Sequence, residues 1–188
     1  FIEHMAKTPS TMIPLGTKAP SFSLPDTVSG ETLSLADLKS DKATVIMFIC
    51  NHCPFVIHII NEIVSVAKEY KEKGISFIAI SSNDVENYPE DSPDKMKELA
   101  TELRFSFPYL YDESQEVAKS YDAACTPDFF IFDKELACAY RGRFDESSPG
   151  SNSKVNGKDL RNALDSILVR KAVSEDQIPS IGCNIKWR

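Results

Sequence analysis

Thr44-Val45-Ile46-Met47-Phe48-Ile49-Cys50-Asn51-His52-Cys53-Pro54-Phe55-Val56 is the stretch on which the fold turns. From Thr44 to Cys50 the run is almost wholly apolar, lacks the alternation of a sheet with one wet face, and is short for a helix. It predicts a central strand covered on both sides. Beyond Pro54 the period changes: Val56, Ile60, Ile63, Ala67 and Tyr70 recur at three- and four-residue steps, opposite His58, Asn61, Glu62, Ser65, Lys68 and Glu72. That pattern predicts an amphipathic helix from Pro54 to Lys73, stopped at Gly74. A second apolar run, Ile75 to Ile80, follows at once, so strand, helix and strand make a parallel, right-handed crossover.

Working outward, Ser92-Pro93 opens a helix carrying Met96, Leu99, Ala100 and Leu103, with serine as cap and proline in the first turn. A shorter helix is expected over Ser114 to Tyr121. Phe129 to Phe132 and Leu136 to Tyr140, joined by Asp133-Lys134-Glu135, read as a hairpin, and Leu160, Leu164, Ile167 and Leu168 form one stripe of a last helix over Lys158 to Lys171. On the N-terminal side, Ser21 to Leu24 and Thr32 to Leu35 alternate around turn-forming residues and predict a hairpin with Phe22, Leu24, Leu33 and Leu35 facing inward. The expected class is α/β: a mixed sheet flanked by helices, with an N-terminal β-hairpin and a helical insertion.

At 188 residues and 42% hydrophobic composition the chain suits one domain. We expect that domain over residues 5–173, with 174–188 as a tail whose Ile181, Cys183, Ile185 and Trp187 dock on the body. Phe1-Ile2-Glu3-His4 before Met5 reads as a vector remnant rather than a signal peptide, which favours a cytoplasmic protein. A formal net charge of -7, with basic residues scattered among acids, argues against nucleic acid as a partner. No apolar stretch approaches the roughly 20 residues of a membrane-spanning helix, so a membrane is not expected as a partner either.

Five cysteines in a chain of this length do not form a regular disulfide framework, and only Cys50 and Cys53 stand close together. Both fall where strand becomes helix, near unsatisfied backbone N–H groups and the positive end of the helix dipole, a setting that favours thiolate over thiol. With that spacing, Cys50 attacks a disulfide and Cys53 resolves the mixed disulfide, provided that both sulfurs are open enough to meet a partner. Asn51 and His52 are supporting candidates; a protonated His52 beside Cys50 would stabilise its negative form. Cys125-Thr126-Pro127 leads into the Phe129 strand. Its proline is either a simple strand-start residue or, in the cis form, a device presenting the Thr126 backbone to an extended substrate.

Zinc is disfavoured, because the completing ligands would have to come from Cys125, Cys138, Cys183, His52 or His58, none of them at a second two-residue spacing. No metal and no cofactor are expected. Cys138 reads as a buried, inert thiol and His58 as a solvated residue. Cys125 and Cys183 are candidates for additional redox thiols, the first because it adjoins the Thr-Pro turn and the second because its tail could fold over the pair.

A strand ending in Cys-x-x-Cys, then a helix, then Thr-Pro before a hairpin resembles the thioredoxin superfamily. Ala19-Pro20-Ser21-Phe22-Ser23-Leu24-Pro25-Asp26 is similar to the opening segment of redoxins and peroxiredoxins. Phe48 to Phe55, Cys125 to Phe130, Tyr140-Arg141-Gly142-Arg143 and Ile181 to Trp187 resemble a peroxiredoxin-like subgroup of thioredoxin-family proteins. The resemblance implies a thioredoxin-like fold, a cis Pro127, arginines at 141 and 143 bordering a substrate groove, and thiol-disulfide oxidoreductase activity. Its partners would be a disulfide-containing protein or small thiol and a separate reductant. Two departures matter. Cys53 matches the peroxide-reactive cysteine of peroxiredoxins, yet Ile46 and Cys50 replace the proline and threonine of that pattern; and Ile49 and Thr44 stand where thioredoxins carry tryptophan and a buried aspartate. A thiol peroxidase using Cys53 on peroxide and Cys50 to resolve it, and a redox-sensing module without turnover, are the alternative functions.

Overall fold

The structure, a computed structural model, describes residues 7–188; the expected vector remnant at residues 1–4 lies outside the described residues. Strands β1 (Lys7–Pro9), β2 (Ser23–Pro25) and β3 (Thr32–Ser34) precede the short helix α1 (Leu35–Leu38). The crossover follows as β4 (Ala43–Phe48), α2 (Pro54–Lys71) and β5 (Ser76–Ser81). A 3-10 turn (Pro89–Asp91), α3 (Pro93–Glu102), β6 (Tyr109–Tyr111) and α4 (Glu116–Ser120) make the middle of the chain. Then come β7 (Cys125–Thr126), β8 (Asp128–Asp133), β9 (Cys138–Gly142), α5 (Lys158–Leu168) and β10 (Ile181–Asn184).

Five strands form the central sheet in the order β6-β5-β4-β8-β9. β4 runs parallel to β5 and antiparallel to β8, so the sheet is mixed, and β8 and β9 form an antiparallel hairpin. Every residue of β4 is buried, as the unbroken apolar run requires when both faces are covered. Alternation divides its side chains between two cores: Val45 and Met47 pack with Val56, Ile63 and Leu164, whereas Ile46 and Phe48 pack with Phe22, Leu110 and Tyr121. Each such fully buried side chain contributes roughly 1.5–3 kcal/mol of transfer free energy.

α2 buries Val56, Ile59, Ile60, Ile63, Val66, Ala67 and Tyr70 along one stripe, and Lys68 and Lys71 sit in its last turn, where the dipole favours cations. β2 and β3 pair as the N-terminal hairpin, with Phe22, Leu24 and Leu35 buried and Leu33 partly so. Leu35 departs from the strand expectation. It begins α1, because Ser34 and Asp37 form a capping box that starts a helix at that point.

A second, three-stranded antiparallel sheet has the order β1-β10-β7. β10 is its centre strand, with Cys183 opposite Lys7 on one side and Thr126 on the other. Beyond it Ile185 enters the core, the Lys186 backbone N–H donates to Asn83 Oδ1 at 2.9 Å, and the Lys186 carbonyl accepts from the Asp84 backbone N–H at 2.8 Å. Among the described residues, no helix is long and apolar enough to cross a membrane.

Candidate active site

The hand-over from β4 to α2 sets Cys53 at the N-cap of the helix, with Pro54 in its first turn, and Cys50 three positions earlier. The Thr126–Pro127 peptide bond is cis. Thr126 reaches both sulfurs: its carbonyl oxygen lies 3.3 Å from Cys53 Sγ, and its Oγ1 lies 3.6 Å from Cys50 Sγ. Cys183 arrives at the same place on β10.

The disulfide expected between Cys50 and Cys53 joins Cys53 to Cys183 instead, across a sequence separation of 130 residues and a Cα–Cα distance of 6.3 Å. Cys50 is a free thiol. The cause is register: β10 aligns Cys183 with Thr126, whose carbonyl already touches Cys53, so the tail delivers a sulfur where none is visible locally in the sequence. A second correction concerns access. Cys50 is 1%, Cys53 0% and Cys183 1% exposed, so in this state the sulfurs are closed to a partner rather than open, with β10 paired along Thr126 beside them.

Asp91, from the 3-10 turn ahead of α3, organises the loop between Cys50 and Cys53. It is fully buried. Its Oδ1 accepts from the backbone N–H groups of Asn51 at 2.8 Å and His52 at 3.2 Å, while Oδ2 meets His52 Nδ1 at 2.5 Å and accepts from Asn83 Nδ2 at 2.9 Å. The hydrogen bond to Asp91, and after it one to Cys50, raises His52 from its ordinary value of 6.5 to about 10, against the opposing effect of burial. Burial alone would raise Asp91, but the hydrogen bonds from His52 and Asn83 outweigh it and hold the carboxyl below its ordinary range. His52 is therefore an imidazolium at neutral pH, and its ring stacks on Tyr88 at 5.4 Å. Asn51 is pinned from both ends: Tyr109 Oη donates to its Oδ1 at 2.9 Å and its Nδ2 donates to the Glu90 carbonyl at 2.9 Å.

Cys125 lies close in sequence to Thr126 but its sulfur is turned elsewhere, 3.6 Å from the Pro127 carbonyl and 4.0 Å from that of Ser180; burial, its main influence, pushes its thiol well up. Burial likewise raises Cys138 to about 11. Of the two arginines expected at the groove, Arg143 lines a cleft beside Pro127 together with Phe55, Ile59 and Phe144. Arg141 does not. It is fully buried, its Nη2 lies 2.7 Å from Asp128 Oδ2, and its guanidinium covers the Phe130 ring at 4.3 Å in the core on the opposite side of the sheet from the sulfurs. Half-buried His58 meets Ser147 Oγ at 3.2 Å.

Among the described residues one group offers ligand atoms to a metal ion, Cys50, His52 and Asp91, all within 4.8 Å of one another. Coordination through Nδ1 or Oδ2 would compete with the bond these two atoms make to each other. Asp91 was not singled out in the sequence. It sits 40 positions from Asn51, and no local pattern marks it as a partner of the cysteine loop.

Fold and site together define the class: the chain belongs to the AhpC/TSA family, whose profile matches residues 15–141. It is similar to a solved protein of Geobacillus kaustophilus described as an uncharacterized conserved protein, at 57% identity and a TM-score of 0.97 over 99% of this chain and 98% of that one. The thiol:disulfide interchange protein of Chlorobium tepidum TLS, a thioredoxin family protein, shares the fold at 20% identity and a TM-score of 0.62, over 84% of this chain and 99% of its own. The thioredoxin-like architecture implied by the sequence is thereby shown. Thiol-disulfide oxidoreductase ResA of Bacillus anthracis is 27% identical over 124 residues, 64% of this chain. That match spans 65% of ResA, just under two thirds of its length.

Proposed function

We propose that the protein is a thiol-disulfide oxidoreductase, a Cys-x-x-Cys member of the peroxiredoxin-like branch of its family, acting on protein or small-molecule disulfides with an external thiol reductant. One observation carries the reading: Cys53 is bonded to Cys183 and meets the Thr126 carbonyl, while a third sulfur, Cys50, stands free beside the Thr126 hydroxyl and an imidazolium. In the reduced protein, Cys50 attacks a substrate disulfide and holds it as a mixed disulfide. Cys53 then displaces the substrate thiol and closes an intramolecular bond, and the reductant restores the thiols. The cation at His52 stabilises negative charge on the sulfur that attacks or leaves. Similarity to ResA supports the reaction type.

Reduction of the insulin interchain disulfides in the presence of dithiothreitol tests the proposal. Wild-type protein is expected to accelerate the reaction well above the reductant alone, Cys50→Ser to lose turnover, and Cys53→Ser, mixed with insulin after the reductant is removed, to trap a mixed disulfide at Cys50. A rate for wild type equal to that of the blank overturns it. The bond between Cys53 and a distant second cysteine also favours a peroxidase in which Cys53 is the oxidised sulfur and Cys183 its resolving partner. Ile46 and Cys50 at the proline and threonine positions weigh against that reading, and consumption of hydrogen peroxide coupled to a thiol donor decides it.

A further inference from the structure

β10 fills the place an extended substrate would need. Cys183 pairs with Thr126 and Asn184 with Cys125, so the chain's own tail takes the strand edge that runs up to Pro127. The seating is tight: a Cβ on Gly182 would stand 1.9 Å from the Thr126 carbonyl oxygen, so only glycine allows this approach. At one end Ser180 Oγ donates to the Pro127 carbonyl at 2.6 Å and the Ser180 carbonyl accepts from the Ser10 N–H at 2.8 Å. At the other, Lys186 is held between Asn83 and Asp84. The strand is thus a strap tied at both ends by hydrogen bonds and bonded in the middle through Cys183.

Resting on the thiol-exchange reading above, we propose that Cys50 unlatches this strap: a three-sulfur exchange moves the disulfide from Cys53–Cys183 to Cys50–Cys53 and opens the Thr126 edge to an extended, cysteine-bearing polypeptide. The Cys50 thiolate attacks Cys53 Sγ, the Cys50–Cys53 bond forms as the Cys53–Cys183 bond breaks, and the electron pair leaves on the Cys183 sulfur. The proton given up by Cys50 is returned to Cys183. One disulfide and one thiol are present before and after the exchange, so no outside oxidant or reductant is needed. Released from the disulfide, the strap keeps its end anchors and its pairing with β1 while residues 181–184 part from Thr126, and a substrate strand takes their register. The exchange also accounts for three buried sulfurs in a protein whose chemistry requires contact with a partner: the structure is the latched form.

Hydrogen exchange read by mass spectrometry tests the latch in full-length, air-oxidised protein, with linkages verified by non-reducing peptide mapping. Cys50→Ser retains only the Cys53–Cys183 bond and Cys183→Ser only Cys50–Cys53. Amides of residues 181–185 are expected to exchange about tenfold or more faster in C183S than in C50S, since covalent restraint is what suppresses their local opening. Reduced wild type, which keeps the cysteine side chain, is expected to match C183S and so separates loss of the bond from loss of the side chain. Oxidised wild type held at pH 8 and then acid-trapped is expected to contain both linkages. Equal protection in C50S and C183S, slow exchange in reduced wild type, or Cys53–Cys183 as the sole linkage after incubation overturns the proposal. Insulin reduction by wild type, measured alongside, tells the two ideas apart: turnover with a strap that never loosens sinks the latch and leaves the oxidoreductase standing, whereas a loosened strap without turnover does the reverse.

Discussion

Replacing Cys183 by serine should cost the oxidised protein a large part of its conformational stability. The Cys53–Cys183 bond spans a separation of 130 residues, and closing a loop of that length in the unfolded chain removes entropy worth about 5 kcal/mol at room temperature. The Cys50–Cys53 bond left to the variant closes only a short loop, worth about 2 kcal/mol on the same scale, so the net loss is about 3 kcal/mol; at about 2–4 °C in Tm per kcal/mol for a domain of this size, the variant should melt about 6–12 °C lower. Urea unfolding under oxidising conditions gives the free energy directly, with the midpoint falling while the slope stays the same or rises as the unfolded chain expands. Wild type reduced with dithiothreitol, which has no cross-link, should fall at least as far as the variant, and Cys50→Ser, which keeps the long cross-link, should remain within about 1 kcal/mol of oxidised wild type. If oxidised wild type and C183S unfold within about 1 kcal/mol of each other, Cys183 is not cross-linked in the folded protein and the account of β10 as a bonded strand is wrong.

Other consequences are equally open to measurement. The His52 imidazole signal should stay flat between pH 5.5 and 8.5 in wild type, and Asp91→Asn should bring its midpoint down by about two pH units or more, toward the ordinary histidine value; identical titrations in the two proteins would remove Asp91 from the site. Because His52 is raised to about 10, its contribution to stability is complete below pH 6.5 and fades as pH climbs through 10, whereas Asp91, held low, loses its share only on acidification below its ordinary range. Gly182→Ala forces β10 off the Thr126 carbonyl and should destabilise by about 1–3 kcal/mol while lowering the yield of the Cys53–Cys183 bond in peptide maps; an unaffected yield contradicts the tight seating. In native protein at pH 8, iodoacetamide should leave Cys125 and Cys138 unmodified, since burial holds both thiols protonated, and rapid labelling of either would contradict that burial.

The elements legible in the sequence are those whose signal is local. β4, β5 and β8 are unbroken apolar runs, and α2, α3 and α5 repeat their apolar residues with helical period, so each announces itself within its own residues. β1, β6, β7 and β10 are two to four residues long and exist through pairing with distant partners, which leaves no period to read. The same division runs through the site. Cys50, Cys53 and the Thr126–Pro127 turn are adjacent within motifs, whereas the choice of Cys183 as bonding partner depends on the register of β10 against β7, and spacing alone does not determine disulfide connectivity. Arg141, which the resemblance puts at the groove, is buried for a related reason: its guanidinium meets Asp128 across the β8–β9 hairpin and the Asp122 carbonyl, partners that no local pattern announces.

The ion pair between His52 and Asp91 separates the reacting atoms from what governs their temperament. Asp91 lies in a stretch between β5 and α3 that carries no cysteine, yet it sets the charge of the ring next to Cys50 and clamps the loop on which both cysteines of the motif depend. Substitutions in that stretch can therefore make the dithiol a stronger or weaker electron donor with every sulfur left in place. Two relatives with identical Cys-Asn-His-Cys loops need not share a reactivity, and the residue facing His52 is the one to compare first.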